Sequence, residues 1–108
     1  MKPRIMYLEA KDGALAGGEA RIGRVTFSKT GQTIYYGGRA FHKIPGGGFK
    51  SNYYDEASRT EYWISGPKKN GRDRLYSERV PVEIDEDVRV EYWTLVRNAP
   101  EEKERKTA

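Results

Sequence analysis

Arg21-Ile22-Gly23-Arg24-Val25-Thr26-Phe27-Ser28, then Lys29-Thr30-Gly31-Gln32, then Thr33-Ile34-Tyr35-Tyr36: this stretch decides the fold. Both outer segments are rich in β-branched and aromatic residues, which suit a pleated, half-buried surface. The four residues between them are polar, and Gly31 takes the positive φ of a tight reversal without strain. The pattern predicts a hairpin. Side chains alternate across a strand, so Val25 and Phe27 share one face while Ile22, Thr26 and Ser28 share the other.

Working outward, Arg4–Glu9 reads as a preceding strand, closed by the Asp12-Gly13 turn and a small-residue loop over 14–18. After the hairpin, Ala40–Ile44 is a further short extended piece before Pro45-Gly46-Gly47-Gly48 interrupts regular structure. Phe49–Tyr54 and Glu61–Ser65 read as paired strands across a polar loop, and Arg74-Leu75-Tyr76 as another strand after the Gly-Pro and Asn-Gly turns of residues 66–73. Val80–Ile84 is a last extended piece, placed at a sheet edge because Pro81 has no N–H for a ladder. At Asp85 the period changes. Asp85 is an N-cap, Glu86 and Asp87 suit the positive end of a helix, and Val88, Tyr92, Leu95 and Val96 form one apolar stripe.

The sequence therefore predicts a mainly β protein: a small antiparallel barrel or strongly bent sheet with one C-terminal amphipathic α-helix. One domain is expected over residues 1–99, with the helix at about 86–97 and Pro100 ending it. Residues 100–108 alternate in charge around few apolar side chains and are expected to be a disordered tail.

Composition narrows the chemistry. The chain has 108 residues and no cysteine, so disulfides, thiolate catalysis and cysteine-held metals are excluded. A reducing cytoplasm is the expected compartment. No stretch approaches the roughly 20 apolar residues of a membrane span, and no signal-peptide core follows Met1. Charge is uneven, with 15 lysines and arginines against 8 acids over residues 1–80 and 5 against 8 over 81–108. A basic β region points toward an anionic partner.

His42 is the only histidine, and its flanks in a strand-like run hold no acid, so it reads as a partly exposed strand residue. The acids Glu83, Asp85, Glu86, Asp87 and Glu91 are explained by a helix N-terminus rather than by a metal. Ile44–Lys50 lacks the spacing of a phosphate-binding loop. No catalytic residue, metal or cofactor is expected.

The segment Lys68-Lys69-Asn70-Gly71-Arg72-Asp73-Arg74 is different. Four cations converge on a turn flanked by Tyr62, Trp63 and Tyr76. Cations neutralise phosphates and rings stack on bases, so Lys68, Lys69, Arg72, Arg74, Tyr62 and Tyr76 are the candidate contacts for RNA or single-stranded DNA. Arg21, Arg24, Lys29, Arg39 and Lys50 enlarge that patch if they share its side. The expected function is a non-enzymatic binding module, with docking of a partner protein as the alternative.

Residues 20–31 and 61–76, quoted above in large part, resemble those of a family of small uncharacterised bacterial proteins. The resemblance runs on through Glu83–Val88 to Tyr92-Trp93 and implies no function. Some members carry the name deoxyxylulose-phosphate synthase. Those enzymes are several-fold longer multidomain thiamine-diphosphate proteins, and this chain has no matching cofactor motif.

Overall fold

The computed structural model describes residues 2–11, 19–46, 51–73 and 81–108. Six antiparallel strands follow one another around a closed barrel: β1 (Arg4–Lys11), β2 (Ala20–Phe27), β3 (Thr33–Tyr36), β4 (Arg39–Lys43), β5 (Tyr53–Asp55) and β6 (Glu61–Ser65). Each pairs with the next, and β6 returns to β1, with Leu8 opposite Ile64. Closure leaves no free edge among these six, which is how a small β protein avoids presenting unpaired backbone. A seventh strand, β7 (Glu83–Ile84), runs parallel to β2 at the end of the strand order, the edge position that Pro81 required.

The β2–β3 hairpin forms as its sequence predicts, with Gly31 at φ 76°. Alternation then sorts the apolar residues into two layers. Met6, Leu8, Val25, Ile34, Phe41 and Ile64 point inward and fill the barrel, with Phe27, Tyr53 and Tyr62 packed on them. Tyr7, Ala20 and Ile22 point outward from β1 and β2 and meet Val82, Ile84, Val88, Tyr92 and Trp93. Strands β1 and β2 are thus covered on both faces, so Met6 through Ala10 is buried without a break.

The outer layer is the work of the C-terminal helix. It opens with a 3-10 turn (Glu86–Val88), passes through an α turn (Arg89–Glu91) and widens into a π turn (Tyr92–Val96). The Arg97 N–H donates to the Tyr92 carbonyl at 3.0 Å. Asn98 closes the end in a left-handed conformation, φ 50°, and the Ala99 N–H reaches back to the Trp93 carbonyl at 2.7 Å. The extra residue in the π turn corrects the predicted stripe. Trp93, not Leu95, enters the core: Trp93 is 1 % exposed and Leu95 77 %. A tryptophan buries far more apolar surface than a leucine, and the wider turn rotates it inward.

The terminal residues are also corrected. Rather than trailing free, 100–108 fold back over Trp93. Its Nε1–H donates to the Arg105 carbonyl at 2.9 Å, and the Arg97 and Arg105 guanidiniums stand 5.0 and 5.2 Å from the ring centre. The Ile84 N–H donates to Lys106 and the Ala108 N–H to Val82, at 2.8 and 2.9 Å. Charge alternation left this segment without an apolar stripe, yet its backbone found the free side of β7. Truncation after Ala99 removes these bonds and uncovers Trp93. Three hydrogen bonds at about 1 kcal/mol each set the expected loss near 3 kcal/mol, a fall in Tm of more than about 10 °C. Calorimetry on the truncated chain checks it; an unchanged Tm means that the segment does no structural work.

Candidate binding site at the barrel mouth

The site begins with a change of partners along β2. Its last residues, Thr26 and Phe27, pair with Tyr35 and Ile34 of β3, whereas its first, Arg21 and Ile22, pair with Glu83 and Ile84 of β7. Between those two regions β3 leaves β2, and the barrel wall parts. Asp85 enters the gap directly after β7, its N–H bonded to the Ile22 carbonyl at 2.9 Å.

Asp85 has the extended backbone of an N-cap (φ −59°, ψ 143°), but its side chain makes no cap bond. It turns sideways instead. One carboxylate oxygen accepts from Arg21 Nε at 2.9 Å and the other from the Tyr36 hydroxyl. Glu83 holds the same guanidinium at 2.9 Å, and Glu91 holds Arg24 at 2.8 Å. Three of the acids read as helix-terminus residues are therefore partners of β2 arginines. Gly23 makes the arrangement possible. A Cβ there would collide with the Tyr36 ring and the Asp85 carboxylate.

The gap opens into a cavity of about 470 Å³ at the barrel mouth. Leu8, Phe41 and Tyr62 form its apolar side, and Tyr36 and Gly37 its rim toward β3. Arg21, Arg24 and Arg39 line it together with Glu19, Asp85 and Asp87, three cations against three carboxylates. The Tyr62 ring meets Phe41 edge-on at 4.8 Å, and its oxygen accepts from Arg39 at 2.9 Å. Burial, then the neighbouring Asp85, pushes the Tyr36 phenol far above its ordinary range, and burial raises Tyr62 as well. Both stay protonated and act as hydroxyl groups. Asp85 in turn holds the Arg21 guanidinium in its charged form.

The predicted contact residues divide. Tyr62 lies at the start of β6, half-buried, with its ring packed against the inner cluster at the mouth. Lys68, Lys69 and Arg72 are exposed on the loop beyond the strand's other end, and Trp63 is half-buried against the outer layer. Tyr62 thus meets Arg39 rather than the loop cations. Arg74 and Tyr76, like Lys50 and most of the Gly-rich stretch, lie outside the described residues. Arg21, Arg24 and Arg39 do share one site, the mouth, with acids among them. His42 lies on the outer face of β4 and has the acidic partner its flanks lacked, Glu56 at 2.8 Å, with Thr33 at 3.2 Å on the other nitrogen. Among the described residues no three side chains converge as a metal-ligand set.

The loop itself is tightly tied. Gly71 adopts φ 74°, Asn70 accepts from the Arg72 N–H at 2.9 Å, and buried Asp73 accepts from the Lys68 N–H at 2.7 Å. No family model, curated protein or solved structure matches the chain, so the family resemblance rests on the quoted residues alone.

Two predictions follow from this geometry. Gly23→Ala is expected to force Tyr36 and Asp85 apart at a cost of about 1–3 kcal/mol, read by denaturant unfolding; wild-type stability shows that the approach is not tight. Burial raises the Asp73 carboxyl above its usual range despite Lys68 and Arg97. A carboxyl raised on folding favours the fold while protonated, and that contribution is lost as pH climbs through its folded pKa. Asp73→Asn keeps the acceptor for Lys68 and cannot ionise, so its stability relative to wild type should rise as pH is raised through and above the usual carboxylate range. Thermal melts across that range test it, and a constant difference contradicts it.

Proposed function

We propose that the protein is a non-catalytic binding module whose ligand enters the barrel mouth. The observation that carries this is the cavity itself: Arg39 bonded to Tyr62 over an apolar floor of Leu8 and Phe41, where β3 leaves β2. Barrel mouths with an apolar side and a few fixed polar groups are where small ligands bind, and about 470 Å³ accommodates a nucleoside-sized molecule. Equal numbers of arginines and carboxylates disfavour a polyanion. They suit a planar, neutral or zwitterionic ring compound with donors and acceptors along its edge, such as a nucleoside or an aromatic amino acid. The non-catalytic reading is supported by the state of the reactive groups. Both oxygens of Asp85 are engaged and both phenols are held protonated, so neither is poised as a base.

Adenosine, guanosine and tryptophan are suitable probes. Any that binds should raise stability by about 2.7 kcal/mol at a hundredfold excess over its Kd. Arg39→Ala should weaken it at least tenfold, as expected on losing a charge-assisted hydrogen bond of roughly 1.5–3 kcal/mol. Calorimetric titration gives both. No binding by any probe, or binding indifferent to Arg39→Ala, would sink the reading.

RNA or single-stranded DNA on the 66–73 loop is the second reading, supported by exposed Lys68, Lys69 and Arg72. Its electrostatic half is available, while its stacking half has lost Tyr62 to the barrel. Oligonucleotide binding that strengthens at low salt and falls in Lys68→Ala is its signature.

A further inference from the structure

The helix shows solvent two large apolar side chains: Leu95 is 77 % exposed and Val90 57 %. Leu95 borders a shallow groove with Arg4 and Ile5 of β1, Pro67 and Lys69 of the loop, and Val96. Arg4 and Lys69 are exposed, and Glu91 at the groove's edge is already held by Arg24 at 2.8 Å. This end of the helix is apolar with a cationic rim. The other end is the reverse, since Glu86 and Asp87 stand exposed in the first turn. Val90 lies between.

A face that is acidic at one end, basic at the other and carries Val90 and Leu95 beside the Arg24-paired Glu91 complements itself when turned about a two-fold axis. Asp87 and Leu95 are each four residues from Glu91. An axis near Glu91 therefore sets Asp87 of one copy against Leu95 and Lys69 of the other, twice over, as an isologous contact requires. We propose that this helix face, with the 66–73 loop, is the contact surface of a homodimer formed by antiparallel pairing of the two helices. A second copy fits better than a foreign polyanion because the complementary acids lie on the same helix. A nucleic-acid strand here would meet Glu86 and Asp87 as like charges and leave Val90 and Leu95 unmatched.

Size sets the strength. Residues 86–96 form a helix about 16 Å long, too short alone for the roughly 800 Å² per partner of a standard interface. The loop and the start of β1 must contribute, and the dimer should be weak and salt-sensitive. Asp87 also borders the mouth whereas Lys69 does not, so loss of self-association in Lys69→Glu with binding at the mouth retained separates this inference from the reading of that cavity.

Sedimentation equilibrium across a wide range of protein concentration tests it. The expected result is a mass rising from one chain to two, with the midpoint moving up at least tenfold at ~1 M salt, where screening acts over about 3 Å. Lys69→Glu and Asp87→Lys should each be monomeric, because each places like charges together twice. Mixed in equal amounts they should form a dimer again, since both contacts then join opposite charges. Both residues are exposed, so circular dichroism should report an intact fold in each. A single-chain mass at every concentration would overturn the proposal, as would a mixture that stays monomeric. So would an oligonucleotide bound through Lys69 by a chain that never self-associates.

Discussion

The sideways turn of the Asp85 carboxylate is the interaction on which the rest of the molecule depends. It stands where three things meet: the departure of β3 from β2, the end of β7 and the first turn of the helix. By accepting from both Arg21 and Tyr36 it joins the two separated strands through side chains where backbone pairing has stopped. Exposed ion pairs contribute little, about 0–1 kcal/mol, so the Arg21 link alone would be a minor one. Tyr36 is half-buried, however, and a buried hydroxyl left without an acceptor costs about 1–3 kcal/mol. The gap is held open at a defined width for that reason, and a cavity of defined shape results.

That same choice explains why the helix starts as a 3-10 turn without a side-chain cap. Turned toward Arg21 and Tyr36, the Asp85 side chain makes no bond to the helix's first N–H groups. The bridging arrangement satisfies a charged guanidinium and a half-buried phenol. Glu86 and Asp87 supply the favourable charge at the helix start without a specific bond.

Local chemistry was legible in the sequence wherever one residue's conformational limits decided the outcome. Gly31 set the hairpin, Pro81 the edge position beside β7, and Asn98 with Pro100 the end of the helix. Alternation in β2 placed Val25 and Ile22 on opposite faces, and the structure packs a separate apolar layer on each. What escaped was decided by partners distant along the chain. Closure joins Leu8 to Ile64, Tyr62 meets Arg39 across 23 residues, and Arg21 meets Asp85 across 64. No pattern of spacing encodes such pairs. Tyr62 was singled out as a stacking ring beside the loop cations, whereas the cation that its hydroxyl meets is Arg39 of β4.

Leu95 shows a different kind of limit. Helical periodicity assumes one turn geometry throughout, and a π turn over Tyr92–Val96 breaks that assumption by one residue. The cause lies outside the helix. Trp93 finds a carbonyl and a guanidinium at Arg105, from the terminus that has no apolar pattern of its own, and a second guanidinium at Arg97, the residue that closes the helix. Packing Trp93 between the barrel and the folded-back terminus rotates Leu95 toward the groove beside Lys69. The widened turn, the ordered terminus and the exposed leucine are therefore one structural decision.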